Sequence, residues 1–260
     1  MKRAGFQPEA GWRKLRNWLL WMLMPMVGLQ LFFVLRIALM AWQAPESTAF
    51  MRSEAWRRVH AQGNLSAGKT ETRPVRDWQQ QWVSGQHLSV HLKRAVIAAE
   101  DDGFAQHQGV DWAAMESAWA RNRQQAQRAQ RAGTTQAAKV VGGSTITQQL
   151  AKNLLLSGER HLARKAQELI LAFLLETFLS KPRILEIYLN SVEWGDGVFG
   201  AEAAARRYFG VSAAQLNAEQ AARLAVMLPA PKMFERRPNS AYMNRRTATI
   251  LARMPNAVLP

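Results

Sequence analysis

The sequence contains no cysteine, which excludes a disulfide framework and every thiolate metal site. Negative charge is scarce as well. Nineteen Asp and Glu stand against thirty-four Lys and Arg, a formal net charge of +15, so the chain is no acidic solvating segment and is suited to anionic partners. Alternating strand patterns are few, which argues against a β-sandwich or barrel. Apolar residues are not lacking: at 48% of 260 residues they are ample for a core and exclude a disordered chain.

The longest apolar run is at the N-terminus. Lys2, Arg3, Arg13, Lys14 and Arg16 precede residues 18–35, "WLLWMLMPMVGLQLFFVL", where Gln30 is the one strongly polar side chain. Extended to Trp42, the segment spans roughly 37 Å as a helix, enough to cross a bilayer core. Trp18, Trp21 and Trp42 suit the membrane interfaces and Arg36 can snorkel. Bulky side chains continue to Met40, past the length of a cleaved signal, so the segment reads as a retained anchor. The basic flank stays cytoplasmic by charge bias. The expected organisation is a basic tail over 1–17, an anchor over 18–42, a linker and lead-in over 43–90 and an exterior domain over 91–260. That placement excludes intracellular nucleic acid as the partner and leaves lipid headgroups and phosphorylated substrates.

The exterior part has helical periodicity. Helices are expected from about Leu92, over 111–120 with Asp111 as N-cap, and over 145–156, 161–180, 181–192, 201–210 and 217–228. The Arg/Gln/Ala-rich stretch 121–139 has no apolar stripe and reads as a frayed connection. Residues 63–70, "GNLSAGKT", satisfy a phosphate-binding loop by letter. A charged amphipathic stretch precedes them instead of a buried strand, and Pro74 interrupts the helix that must follow. Ser66 and Lys69 also match S-x-x-K, but no K-T-G follows. His87 and His91 lack the glutamate of a metalloprotease pair.

Three stretches can carry chemistry together. In "AAEDDGFAQHQGVD" (98–111), Glu100 falls at the edge of the apolar face shared with Val96 and Phe104. Partial desolvation there raises a carboxylate's pKa and suits it to general-base work, with Asp101 and His107 placed to orient it. In "GGSTITQQLAKN" (142–153), two glycines allow close approach, Ser144 or Thr145 caps the following helix, and Thr145, Gln149 and Lys152 share a polar side. In "ERHLARKAQE" (159–168), Arg160, Arg164 and Glu168 repeat every four residues with Lys165 alongside, either a surface ion-pair ladder or a cationic grip for a diphosphate.

Read in order, these stretches resemble the glycosyltransferase family that polymerises peptidoglycan from lipid II. "EDDGFAQHQGVD", "GGSTITQQLAKN", "RKAQE" and "RILEIYLN" are similar to its first four motifs, and "AARLAVMLPAPKMF" to its fifth. With one such domain behind an anchor, the chain resembles the monofunctional biosynthetic type. The resemblance implies a mainly α, lysozyme-like glycosyltransferase domain behind one transmembrane helix in the bacterial plasma membrane. It implies Glu100 and Glu168 as catalytic residues. Asp101, Phe104, His107, Ser144, Thr145, Gln148, Gln149, Lys152, Arg160, Arg164, Lys165 and Asn190 are then the substrate-binding set. No metal ligand or obligatory cofactor is implied, although Glu168 could hold a divalent cation. The implied partners are lipid II, the growing lipid-linked glycan, the membrane, and cell-division or elongation proteins.

Overall fold

The computed structural model describes residues 8–65, 78–131, 142–156 and 162–260, and among them helix dominates. The Lys69 and Thr70 end of the phosphate-loop pattern, Pro74, Arg160 and residues 132–139 lie outside the described residues.

Helix α1 (Pro8–Leu39) carries the apolar run and is long and apolar enough to cross a membrane. Its last turns turn inward, with Phe33, Ile37 and Met40 buried in the core of the domain. Helix α2 (Ala49–Leu65) follows, where the sequence reads as a linker. The sequence misleads because Glu54 of α2 pairs with Arg57 and Arg58 on its own helix, like a residue of a solvated face, while the contact with Lys232 that goes with its burial forms only in the folded state. The helix also leaves Gly63–Leu65 helical, so no strand leads into the phosphate-loop pattern.

Helix α3 (Val90–Glu100) starts at Ser89, whose hydroxyl accepts from the His91 N–H and donates to the Leu216 carbonyl at 2.8 Å. It buries Leu92, Ala95, Val96, Ile97 and Ala98. Helix α4 (Trp112–Arg131) is capped by Asp111, which accepts from the Ala114 N–H at 2.8 Å. It runs eleven residues past the expected end at Ala120, so 121–131 is regular helix. Only Ala118 of α4 is buried; a helix so exposed shows no apolar stripe to read. Helices α5 (Ile146–Leu155), α6 (Leu162–Phe178) and α7 (Lys181–Ser191, with Pro182 in its first turn) match the sequence reading. Helix α7 is central, its second half from Ile187 to Ser191 buried on all sides.

Strands β1 (Gln79–Gln80), β2 (Glu193–Gly195) and β3 (Val198–Phe199) form a small sheet in the order β1-β3-β2. β1 runs parallel to β3; β2 and β3 form an antiparallel hairpin with an irregular register between Glu193 and Gly195. Helices α8 (Ala201–Phe209), α9 (Ala218–Met227), α10 (Pro231–Glu235) and α11 (Ala241–Arg253) complete the body. α9 packs closely on α3 and α11, because alanines 221, 222 and 225 are small enough to let helix axes approach.

Asn190 fastens the lead-in to the core. Its side-chain oxygen accepts from the Val83 N–H, and its amide donates to the carbonyls of Val83 and Glu186, each at 2.8 Å. It is fully buried, a structural joint rather than the substrate-binding residue expected. Asn190→Ala should lower unfolding free energy by about 2–4 kcal/mol, since it orphans buried backbone groups. Asn190→Asp should be no better, because the carboxylate cannot donate. Denaturant titration of both variants in detergent checks this; a loss under about 0.5 kcal/mol, the usual surface value, defeats it.

Candidate active site

Adjacent residues at the end of α3 do opposite things. Glu100, the last residue of the helix, is half-buried and faces a cavity of about 220 Å³ lined also by Asp102, Gly142, Gly143, Ser144 and Arg253. Asp101 turns inward and is 7% exposed. Its Oδ1 pairs with His107 Nε2 at 2.8 Å and its Oδ2 accepts from the Ile146 N–H at 2.9 Å. Asp101 and His107 therefore do not orient Glu100 by direct hydrogen bonds. They fasten the first turn of α5, whose free N–H groups favour a carboxylate.

That turn is closed on itself. Thr145, not Ser144, is the N-cap. Its hydroxyl accepts from the Gln148 N–H and donates to the Gly109 carbonyl at 2.6 Å, while Gln148 bonds back to the Thr145 N–H. Phe104 is fully buried, with the Lys181 ammonium 4.4 Å from its ring centre. Thr145, Gln148 and Phe104, expected to bind substrate, thus spend their side chains inside the fold. Of the two motif glycines, Gly143 is held to its size by Met115 and Ala118 of α4: a Cβ would stand 3.1 Å from the Met115 Cα.

Gln149 is the residue that reaches Glu100. Its Nε2 donates to Glu100 Oε2 at 2.8 Å, and its own oxygen accepts from the Tyr188 hydroxyl at 3.0 Å. Burial raises the pKa of Glu100 above the ordinary carboxylate range. The Gln149 hydrogen bond and the charges of Arg246 and Lys152 oppose the rise, and Asp101 adds to it. Arg246, on α11, was not visible as part of the site in the sequence. Tyr188 is fully buried, which pushes its ionisation well up and keeps it a donor.

A larger cleft of about 490 Å³ lies on the other side of Ser144, which lines both cavities. Gln149, Lys152, Arg164, Lys165 and Glu168 line it. Glu168 is buried and takes Lys165 Nζ at 2.6 Å on one oxygen and Arg164 Nη1 at 3.3 Å on the other. Both of its oxygens are thus engaged by its own helix's cations, which leaves it poorly disposed to ligate a divalent ion. The cleft also takes in Phe50 and Ser53 of α2, Glu193 of β2, and Pro231. These lie outside the motifs, and only tertiary structure brings them in.

The Transglycosylase family model matches residues 68–255. The chain is 47% identical over 249 residues to the biosynthetic peptidoglycan transglycosylase of Herminiimonas arsenicoxydans, covering 95% of this chain and 98% of that one. It is 48% identical over 231 residues to the protein of the same name from Bordetella pertussis, covering 89% and 88%. To that of Burkholderia ambifaria it is 49% identical over 231 residues, covering 89% and 85%.

The raised pKa of Glu100 carries a stability consequence with a definite sign. A carboxyl group whose folded pKa exceeds its unfolded value stabilises the fold below the unfolded pKa, and that contribution is lost as pH rises through the folded pKa. Glu100→Gln keeps the hydrogen bond from Gln149 without the charge. Its thermal midpoint should exceed that of the unaltered protein near neutral pH, and the gap should close toward about pH 4, where an ordinary glutamate protonates. Melting both proteins across that range tests it; a variant less stable at neutral pH shows that Glu100 is not under desolvation strain.

Proposed function

The chain belongs to the transglycosylase family, and on that footing we propose that it polymerises peptidoglycan glycan strands from lipid II by inverting glycosyl transfer. The observation that carries this reading is a desolvated carboxylate joined through one side chain, Gln149, to a cationic cleft. Glu100 is bonded to Gln149, and Gln149 lines the cavity that Arg164, Lys165 and Lys152 share.

Glu100 takes the proton from the 4-hydroxyl of the acceptor sugar. That oxygen forms a bond to the anomeric carbon of the lipid-linked growing chain. The bond from that carbon to the diphosphate oxygen breaks, and undecaprenyl diphosphate leaves with the electron pair. Gln149 keeps one Glu100 oxygen occupied and leaves the other for the proton. Arg164 and Lys165, held by Glu168, neutralise charge as it develops on the leaving group, where fixed donors in a partly dry cleft are most effective. A hydrolase or lytic enzyme cutting the same glycan would have no diphosphate to hold, and the cation cluster favours polymerisation over it.

The apolar helix α1 fits a single-pass anchor. We read its basic N-terminal flank as cytoplasmic and the catalytic body as lying on the outer face of the bacterial plasma membrane, where a lipid-linked substrate is presented. Cell-division or elongation proteins would meet the enzyme there.

Incubating the purified chain with lipid II and separating polymer from small fragments tests the reading. Glu100→Gln should lower the polymerisation rate by about a hundred-fold to ten-thousand-fold, the usual worth of a general base; a variant with half the activity removes Glu100 from that role. Arg164→Ala should lose about ten-fold to a hundred-fold, the equivalent of one charge-assisted contact, with Lys substitution restoring part of it. Unchanged turnover with a lowered thermal midpoint would make the cations a surface ladder only.

A further inference from the structure

Two arginines meet where α1 gives way to α2. Arg36 is partly buried and makes no ion pair or hydrogen bond with the described residues; the charge that acts on it is the positive charge of Arg52. Arg52 is exposed and is held by the turn before α2, its Nη1 donating to the Ser47 carbonyl at 3.2 Å and to the Ser47 hydroxyl at 3.1 Å. Ser47 lines a cavity of about 240 Å³ together with Arg36, Leu39, Met40, Pro45 and Glu46. The Arg52 guanidinium therefore stands at the rim of a hollow whose wall includes Arg36. Glu46 is on that wall as well, but among the described residues it is within ion-pair distance of neither arginine.

Like charges brought together in a partly desolvated place repel, and an anion between them removes that cost. Guanidinium forks suit a phosphate for geometric reasons as well as for charge. The register along α1 tells which phosphate reaches the place. Arg16 and Arg36 lie twenty residues apart on one helix, roughly 30 Å, the thickness of a bilayer's hydrocarbon core. With Arg16 among the inner headgroups, Arg36 comes up among the outer ones. Between them Leu20, Leu23, Val27, Leu31 and Leu35 are exposed and suit acyl chains. The hollow shares no wall residue with the cleft of Arg164 and Lys165, which separates it from the place proposed for the substrate diphosphate.

Resting on the reading of α1 as a single-pass anchor, we propose that Arg36 and Arg52 form a binding site for the phosphate headgroup of an anionic phospholipid of the outer leaflet. The lipid neutralises the pair and seats the catalytic body on the membrane at the height of α1's last turns.

The test is thermal melting of the full chain in neutral detergent, with phosphatidylglycerol or phosphatidylcholine titrated into the micelles. Phosphatidylglycerol should raise the midpoint to a plateau, because a ligand of the folded state stabilises it. Phosphatidylcholine, whose phosphate carries its own cation, should raise it much less. Arg36→Gln should weaken the apparent affinity for phosphatidylglycerol about ten-fold, the worth of one charge-assisted contact, and Arg36→Lys should restore part of it. Arg52→Gln, at an exposed position where folding is not at risk, should weaken it likewise. Without lipid, Arg36→Gln should melt no lower than the unaltered chain, since it relieves a repulsion; a lower midpoint shows that the fold itself holds Arg36 and overturns the site. An unchanged response to phosphatidylglycerol in Arg36→Gln and Arg52→Gln overturns it too, as does an equal response to the two lipids. A midpoint gain from undecaprenyl diphosphate that depends on Arg36, with none from phosphatidylglycerol, assigns the pair to the substrate and overturns the phospholipid. Carbonate extraction of vesicles carrying the full chain separates this proposal from the reading beneath it. Release by carbonate sinks the anchor and the site together, whereas a chain that stays in the vesicles but melts alike with and without Arg36 sinks the site alone.

Discussion

The arrangement depends first on the Asp101 carboxylate. One oxygen holds His107, in the loop after α3, and the other holds the Ile146 N–H at the head of α5. A single buried side chain thereby ties the end of one helix to the start of another, forty-five residues on. Glu100 precedes it by one residue, and Gln149 follows Ile146 by three, nearly one helical turn. Once Asp101 is docked, the backbone has little freedom to bring Glu100 anywhere but to Gln149. The negative charge that this basic chain concentrates at 100–102 is therefore divided by depth: Asp101 for architecture, Glu100 for chemistry, and Asp102, exposed, for a surface pair with Arg253 at 3.2 Å.

The second constraint links the long apolar helix α1 to the cation cluster. Gln30 breaks the apolar run of α1, and a polar amide in such a helix demands a partner. Gln167 of α6 supplies it through two reciprocal hydrogen bonds of 3.0 and 3.2 Å. The next residue, Glu168, fixes Lys165 and Arg164. Arg183 adds a second tie, donating to the Met40 carbonyl just past the end of α1 at 2.9 Å. The apolar helix is thus fastened to the helix that carries the proposed diphosphate grip, which on the proposed anchoring gives the cations a set relation to the bilayer.

Much of this was legible in the residues. Helices with a cap and an apolar stripe, such as α3, α5 and α9, declare themselves, because local hydrogen bonding and burial agree. Glu100, read as catalytic, lines the smaller cavity, and Gln149, Lys152, Arg164 and Lys165, read as substrate-binding, line the larger cleft. What escaped depends on contacts distant in sequence. Helix α2 hides because Glu54, paired with Arg57 and Arg58 on its own helix, reads as a solvated charge until Lys232, 178 residues away, is brought to it. Glu193 hides because a lone carboxylate in a short strand has no local signature. The opposite error came from motif letters. Phe104, Thr145, Gln148 and Asn190 sit in the right motifs, yet their side chains are spent on packing, a helix cap and the lead-in, and spacing cannot separate a residue that touches substrate from one that shapes the place where substrate sits.

Tyr188 shows how far inward the requirements of the site extend. An amide side chain can present either its oxygen or its nitrogen to a carboxylate, and presenting the oxygen would leave Glu100 facing a second acceptor. The carboxylate settles the choice, since it can only accept, and the Tyr188 hydroxyl, able to donate or accept, answers with its proton. That hydroxyl, whose ionisation burial pushes still further up, donates to the Gln149 oxygen, and the Nε2 hydrogens face Glu100. Burial raises the pKa of Glu100 and of Tyr188 alike. Desolvation makes the carboxylate a stronger base, while the Tyr188–Gln149 relay holds in place the donor that keeps that base from being neutralised too readily. Tyr188 belongs to the buried second half of α7, so the relay that orients Gln149 toward Glu100 is held from inside the fold.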